Sequence, residues 1–250
     1  MVCPNSKGSQ SHNSKKFSTK SNTPLEKSKI SFIKMKIVII GNGIAGSTAA
    51  RFVRKLSDCD ITMISDESKF PFSRTALMYI YMGHLTFNHT KLYEDSFWDK
   101  NRINLLQNRV SRVDVGQKNL TLDSGEIIAY DKLIIASGSK SNKFGWPGQD
   151  LGNVNGLYHL QDLQKMENAS LTGIKRAVIV GGGLIGLEMA EMFHSRNIPV
   201  TLLVREMSFW NIVLPEEESN IINNHIIAHG IDLRLNTNLK KINGETKLMS

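Results

Sequence analysis

The stretch Lys36-Ile37-Val38-Ile39-Ile40-Gly41-Asn42-Gly43-Ile44-Ala45-Gly46 decides the fold class. Its first half is a continuous β-branched run of the kind found in central parallel strands, which are covered on both faces. Its second half fits G-x-G-x-x-G in the setting where that pattern carries meaning, after a strand and at the opening of a helix. The helix is expected from Ile44 to Lys55, with Ala45, Ala49, Phe52, Val53 and Leu56 at helical spacing, and Ile61-Thr62-Met63-Ile64 makes the next strand. The whole is a βαβ unit. In such a loop Gly41 permits the tight turn, Gly43 lets a pyrophosphate approach the backbone, and Gly46 lets helix and strand pack closely. The amides and positive end of the helix, from Ile44 and Ala45 onward, then hold phosphate.

The pattern returns 140 positions later. Ala177-Val178-Ile179-Val180 repeats the strand, and Gly181-Gly182-Gly183-Leu184-Ile185-Gly186 repeats the loop, with Gly181, Gly183 and Gly186 in the glycine positions and Leu184 and Ile185 opening the helix. A helix from Leu184 to His194, a strand from Val200 to Val204, a helix from Glu216 to His229 and a strand from Ile231 to Leu235 complete the second unit, an internal repeat of architecture. One glycine loop alone is a weak signal, since any doubly wound fold contains tight strand-to-helix turns. Two complete copies with matching flanks point to two dinucleotide sites. An acid near the end of the second strand, roughly 20 residues past the loop, is expected to take a ribose hydroxyl. Asp66, with Glu67 beside it, and Glu206 each lie 20 positions after the last glycine. Arg205 precedes Glu206, and an arginine there is suited to the extra phosphate of NADPH. The choice between NADH and NADPH is left open by this pair.

Between the units, Ala76–Met82 and Leu92–Lys100 read as helices. Ile103–Leu106, Val110–Val115, Asn119–Leu122 and Glu126–Ile128 alternate with turns such as Asp123-Ser124-Gly125 and read as a small antiparallel meander. Leu133–Ala136 returns to a buried parallel strand that stops at Ser137-Gly138, and a polar helix near Leu160–Ala169 precedes the second unit.

Composition narrows the function. The net charge of +8 suggests a polyanionic partner until its distribution is examined: residues 1–34 hold seven lysines against Glu26 alone, a net of +6, which leaves +2 for the rest. A nucleic-acid site needs its basic residues clustered on the folded body, so no nucleic-acid partner is expected. Residues 1–34, rich in Ser, Lys and Asn, are read as a disordered leader with Met35 as a candidate native start. Only Cys3 and Cys59 are present, which excludes a disulfide framework and dithiol chemistry and suits a reducing cytoplasm. The scattered histidines suggest no metal site, and no apolar run is long enough to span a membrane.

From Lys36 onward the chain resembles the FAD-dependent pyridine-nucleotide oxidoreductases, in the branch of rubredoxin and ferredoxin reductases and nitrite reductase flavin domains. Four segments carry the resemblance: the Gly41 loop, Phe70-Pro71-Phe72-Ser73-Arg74, Tyr130-Asp131-Lys132-Leu133-Ile134-Ile135-Ala136-Ser137-Gly138, and Gly181 to Glu188. The third matches the family's Ala-Thr-Gly turn with Ser137 in place of threonine.

The resemblance implies an α/β chain with two Rossmann-like domains, the NAD(P) domain inserted in the FAD domain. The FAD domain would occupy residues 35–155 and the NAD(P) domain 156–250, both incomplete. It implies FAD at the Gly41 loop, with Ala136, Ser137 and Gly138 near its phosphates and ribityl chain and Arg74 near the flavin. NAD(P)H would sit at the Gly181 loop, with Glu188 near the nicotinamide. Electrons would pass to a small redox protein or small-molecule acceptor. Members of the family continue beyond this point in their second unit and often dimerise through a third domain, so a fragment, or a truncated, non-catalytic nucleotide-binding protein, is the rival expectation. Two NAD-type sites with a carbon substrate is a third, weakened by the strand meander between the units.

Overall fold

In the computed structural model, residues 34–244 are described. The leader expected over residues 1–34, Cys3 included, lies outside them except for Lys34. Strand β1 (Lys36–Ile40), helix α1 (Ile44–Leu56) and strand β2 (Asp60–Ser65) form the first βαβ unit. A 3-10 turn over Arg74–Ala76 runs into short helix α2 (Leu77–Tyr81). A second 3-10 turn over Phe87–Thr90 precedes helix α3 (Asp95–Lys100) and strand β3 (Ile103–Gln107). Strands β4 (Val110–Asp114), β5 (Asn119–Leu122) and β6 (Ile127–Ala129) form an antiparallel sheet, and β7 (Lys132–Ile135) rejoins the parallel one. The parallel sheet has the order β3-β2-β1-β7.

Ile103–Leu106 does not join the expected meander: β3 pairs in parallel with β2, from Ile61↔Ile103 to Ser65↔Gln107. Its side chains explain why. Ile103 and Leu105 pack with Ile61, Met63 and Trp98 on one face, and Leu106 packs with Val38 and Ile64 on the other. A strand used on both faces belongs inside a layered sheet, where runs of apolar residues replace alternation. The helix expected from Leu92 also begins later, at Asp95: Lys91 bridges to Phe72 in antiparallel fashion and the Leu92 amide donates to the Pro71 carbonyl, which holds this segment extended.

The first sheet is covered twice. Helices α1 and α3 pack on Ile37 and Ile39, and the meander packs Leu120, Leu122 and Tyr130 against Val38 and Ile64.

Helix α4 (Leu160–Leu171), strand β8 (Ala177–Val180), helix α5 (Leu184–Ser195), strand β9 (Val200–Leu203), helix α6 (Glu216–Ala228) and strand β10 (Asp232–Arg234) build the second unit. Its parallel sheet has the order β10-β9-β8, which repeats β3-β2-β1. Ala177 and Ile179 are buried with α5, whereas Val178 and Val180 on the other face are 59% and 40% exposed.

Helix α2 belongs to the first half of the chain, yet it packs into the second. Leu77 and Tyr81 lie in the same apolar cluster as Leu163, Met166, Ala190 and Phe193. The Tyr81 hydroxyl is hydrogen-bonded to the Ser170 hydroxyl at 2.6 Å, and the Arg196 guanidinium lies 3.7 Å over the Tyr81 ring while its Nε donates to the Tyr81 carbonyl at 2.9 Å.

Candidate functional site

The first glycine loop is shaped by one backbone angle and two close contacts that favour glycine. Gly41 has φ +103°, a region that side chains rarely adopt, and its amide donates to the Ile64 carbonyl at 2.7 Å. A Cβ on Gly41 would collide with the Ala136 carbonyl, and one on Gly46 would collide with the Gly41 carbonyl. Gly43 differs, because a Cβ there would meet nothing within 4 Å. The backbone at Gly43 is thus bare toward open space, at the start of a helix that has neither a side-chain cap nor an acid in its first turn. The leading amides of α1 keep their donors and the helix dipole keeps its positive end, as an anion site needs. Two residues that the motif does not specify hold the loop: the buried Asn42 donates to the Ser68 carbonyl at 2.7 Å, and Ser47 donates to the Asn42 carbonyl at 2.9 Å.

This loop forms the floor of a cleft of about 900 Å³. Of the residues expected from sequence, Gly41, Gly43, Ile44, Ala45, Asp66, Glu67, Arg74, Ala136, Ser137 and Gly138 all line it, while Gly46 is buried beneath. Asp66 is exposed at the mouth. Glu67 is buried and turned into the wall, where its carboxylate accepts from Arg74 at 3.0 and 2.6 Å and from the Leu160 amide at 2.7 Å. His159 Nδ1 lies 3.6 Å from the same carboxylate, and the Gln161 side chain donates to the Glu67 carbonyl at 2.9 Å. Burial alone would push the Glu67 carboxyl up, but the Arg74 and Leu160 hydrogen bonds outweigh it and hold the group below its ordinary range.

Arg74 in turn lies 4.2 Å over the Tyr158 ring and donates to the Tyr158 carbonyl, while the Tyr158 hydroxyl accepts from the Ser139 amide at 3.0 Å. Tyr158, His159, Asn108 and Arg109 also line the cleft and carry no motif. Nothing in the sequence signals them: they reach the cleft through the chain's return before α4 and through the β3–β4 connection.

The second loop repeats the backbone and not the surroundings. Gly181 has φ +129° and its amide donates to the Leu203 carbonyl at 2.9 Å, and a Cβ on Gly186 would collide with the Gly181 carbonyl. Gly181 and Gly183 face open space, and Leu184, Ile185 and Glu188 are exposed. None of these residues lines the first cleft. Arg205 and Glu206 form an ion pair at 2.5 Å, which holds the Glu206 carboxyl below its ordinary range. Among the described residues no cluster of His, Cys, Asp and Glu is placed to hold a metal ion, and no helix is long and apolar enough to cross a membrane.

Two βαβ units, each with a glycine loop whose backbone is bare to an incoming phosphate, define a two-site dinucleotide fold. Comparison with known proteins places it: the chain belongs to the family described as pyridine nucleotide-disulphide oxidoreductase, whose profile matches residues 35–250. It is 30% identical over 213 residues to a rubredoxin-NAD(+) reductase of Pseudomonas putida, covering 84% of this chain and 55% of the relative. It is 35% identical over 169 residues to the NADH-rubredoxin oxidoreductase of Clostridium acetobutylicum, covering 67% of this chain and 43% of the relative. The crystal structure of the Clostridium acetobutylicum enzyme matches with a TM-score of 0.73 and 30% identity, over 83% of this chain and 54% of that one. The covalent putidaredoxin reductase–putidaredoxin complex matches in fold, with a TM-score of 0.75 at 24% identity over 85% and 52%. The chain spans about half the length of the curated relatives it matches.

Proposed function

We propose that the chain serves an FAD-dependent NAD(P)H oxidoreductase, with FAD held by residues 35–155 and NAD(P)H by residues 156–250. The cleft over the Gly41 loop carries this reading. It joins a phosphate-binding floor to a wall bearing a fixed cation, Arg74, and the family match supports it.

FAD, when bound, supplies a hydride acceptor that can pass electrons on singly. The chain's own part is placement and field. The Gly41–Gly46 backbone and the start of α1 take the pyrophosphate, and Asp66 at the mouth accepts a ribose hydroxyl. Glu67 and Tyr158 restrain Arg74 at the cleft wall, and the Ala136–Gly138 turn lines the cleft beside Gly41. At the second unit the Gly181–Gly186 backbone takes the pyrophosphate of NAD(P)H, and Glu188 lies on the first turns of α5 facing solvent.

The electron acceptor is a small redox protein, as the names of the relatives suggest. A disulfide acceptor finds no support, because the chain has only Cys3 and Cys59 and no cysteine pair. A reducing compartment such as the cytoplasm suits the same composition.

The visible spectrum of the purified chain with added FAD tests the reading. Flavin bands that bleach on anaerobic addition of a reduced nicotinamide nucleotide are the expected result. A chain that takes up no FAD refutes it and leaves a nucleotide-binding protein without turnover.

A further inference from the structure

The two units can be aligned by their backbone hydrogen bonds rather than by counting along the chain. Gly41 donates to Ile64 and Gly181 donates to Leu203, and the strand registers agree, with Ile40 opposite Ile64 and Val180 opposite Leu203. Ile64 and Leu203 are therefore equivalent. It follows that Val204 is the counterpart of Ser65, Arg205 of Asp66 and Glu206 of Glu67. Counting 20 residues from the last glycine pairs Asp66 with Glu206, and the strand register moves that pairing by one. Where the first unit presents a carboxylate beside its loop, the second presents a guanidinium.

The neighbours of Arg205 sharpen the point. Val204, the first residue past β9, is fully buried against the loop, since a Cβ on Gly182 would lie 2.7 Å from its Cγ1. That position supplies no acid. The Glu206 carboxylate is engaged with Arg205 Nε at 2.5 Å. The Arg205 side chain is 77% exposed, and its terminal amino groups donate to nothing among the described residues. A planar fork with one edge pinned and the other open matches a phosphate in two-point geometry.

We propose that Arg205 makes the Gly181 site selective for a nucleotide carrying a 2′-phosphate, NADPH over NADH, with Glu206 orienting its guanidinium. The proposal rests on the reading of Gly181–Gly186 as a pyridine-nucleotide site and departs from the relatives reported above, which are named for NAD. A ribose 2′-hydroxyl offers Arg205 no charge, whereas a 2′-phosphate gains charge-assisted hydrogen bonds from it.

The test is calorimetric titration of the full chain, with excess FAD filling the Gly41 cleft, using 2′,5′-ADP and 5′-AMP as probes. The wild type is expected to bind 2′,5′-ADP about tenfold tighter or more. Arg205→Gln, a change at an exposed side chain, should erase that difference by weakening 2′,5′-ADP far more than 5′-AMP, and Arg205→Lys should restore part of it. Equal affinities in the wild type, or tighter 5′-AMP, overturn the selectivity and leave the nucleotide site standing. Binding of neither probe overturns the nucleotide reading of this unit and the proposal with it.

Discussion

The two glycine loops share a strand, a turn and a helix, and they differ in nearly everything around them. Strand β1 has a parallel neighbour on each side and apolar cover on each face, whereas β8 pairs with β9 alone among the described residues and leaves Val178 and Val180 exposed. The Ala136 carbonyl presses on Gly41, and nothing presses on Gly181. Glu67 and Glu206 occupy equivalent positions and each binds an arginine, yet the first carboxylate is sunk in the wall of a cleft, whereas Glu206 is half-buried and its arginine opens to water. A glycine motif thus specifies the cradle for a phosphate, and enclosure is supplied by residues that the motif does not contain.

The largest effect expected from this contrast lies at the first glycines. Gly41→Ala meets both a positive φ and a carbonyl, and should cost about 3 kcal/mol or more. Gly181→Ala meets only the backbone strain and should cost about 1–2 kcal/mol. Urea unfolding of the two variants reads the difference, and equal losses would mean that the β7 turn does not constrain the first loop. Next come the glutamates. Glu67→Gln strips the charge from a buried pair and should cost about 2 kcal/mol, whereas Glu206→Gln, in an exposed pair, should stay within about 0.5 kcal/mol. Similar values for both would break the distinction between the pair in the cleft wall and the more open one.

Val38→Ala, beneath the meander, should cost about 1.5 kcal/mol, against roughly 0.5 kcal/mol or less for Val178→Ala on the open face. The smallest effect is on acid sensitivity. The native Glu67 carboxyl titrates below its ordinary value of 4.5, so its ionised form stabilises the fold above that pH. That contribution fades as pH falls through the lower native value. Stability measured against pH should therefore fall more steeply in this acidic window for the wild type than for Glu67→Gln, and parallel profiles would count against a stabilising Glu67–Arg74 pair.

The sequence makes local demands legible and long-range ones faint. The positions of Gly41, Gly46, Gly181 and Gly186 follow from turn geometry and close packing, which the neighbouring residues announce. The runs Ile37–Ile40 and Ala177–Val180 announce parallel strands in the same way. The membership of β3 is not legible in the sequence because Ile103–Gln107 is short and its partner strand lies some forty residues back. Tyr158 and His159 reach the cleft by packing on Arg74 and Glu67, more than eighty residues earlier, and no periodicity records such a meeting. The place of Arg205 was obscured by a single residue: the second unit takes 17 steps from its last glycine to the end of the pairing where the first takes 18, a difference visible only in the strand register.

Helix α2 has one further consequence. Because Leu77 and Tyr81 complete the apolar cluster of the second unit, and Arg196 and Ser170 grip Tyr81 from that side, neither half can melt without exposing the other's interior. The pair behaves as one cooperative block: heating should give a single calorimetric transition, and protease nicking between the units should destabilise both rather than release either one intact.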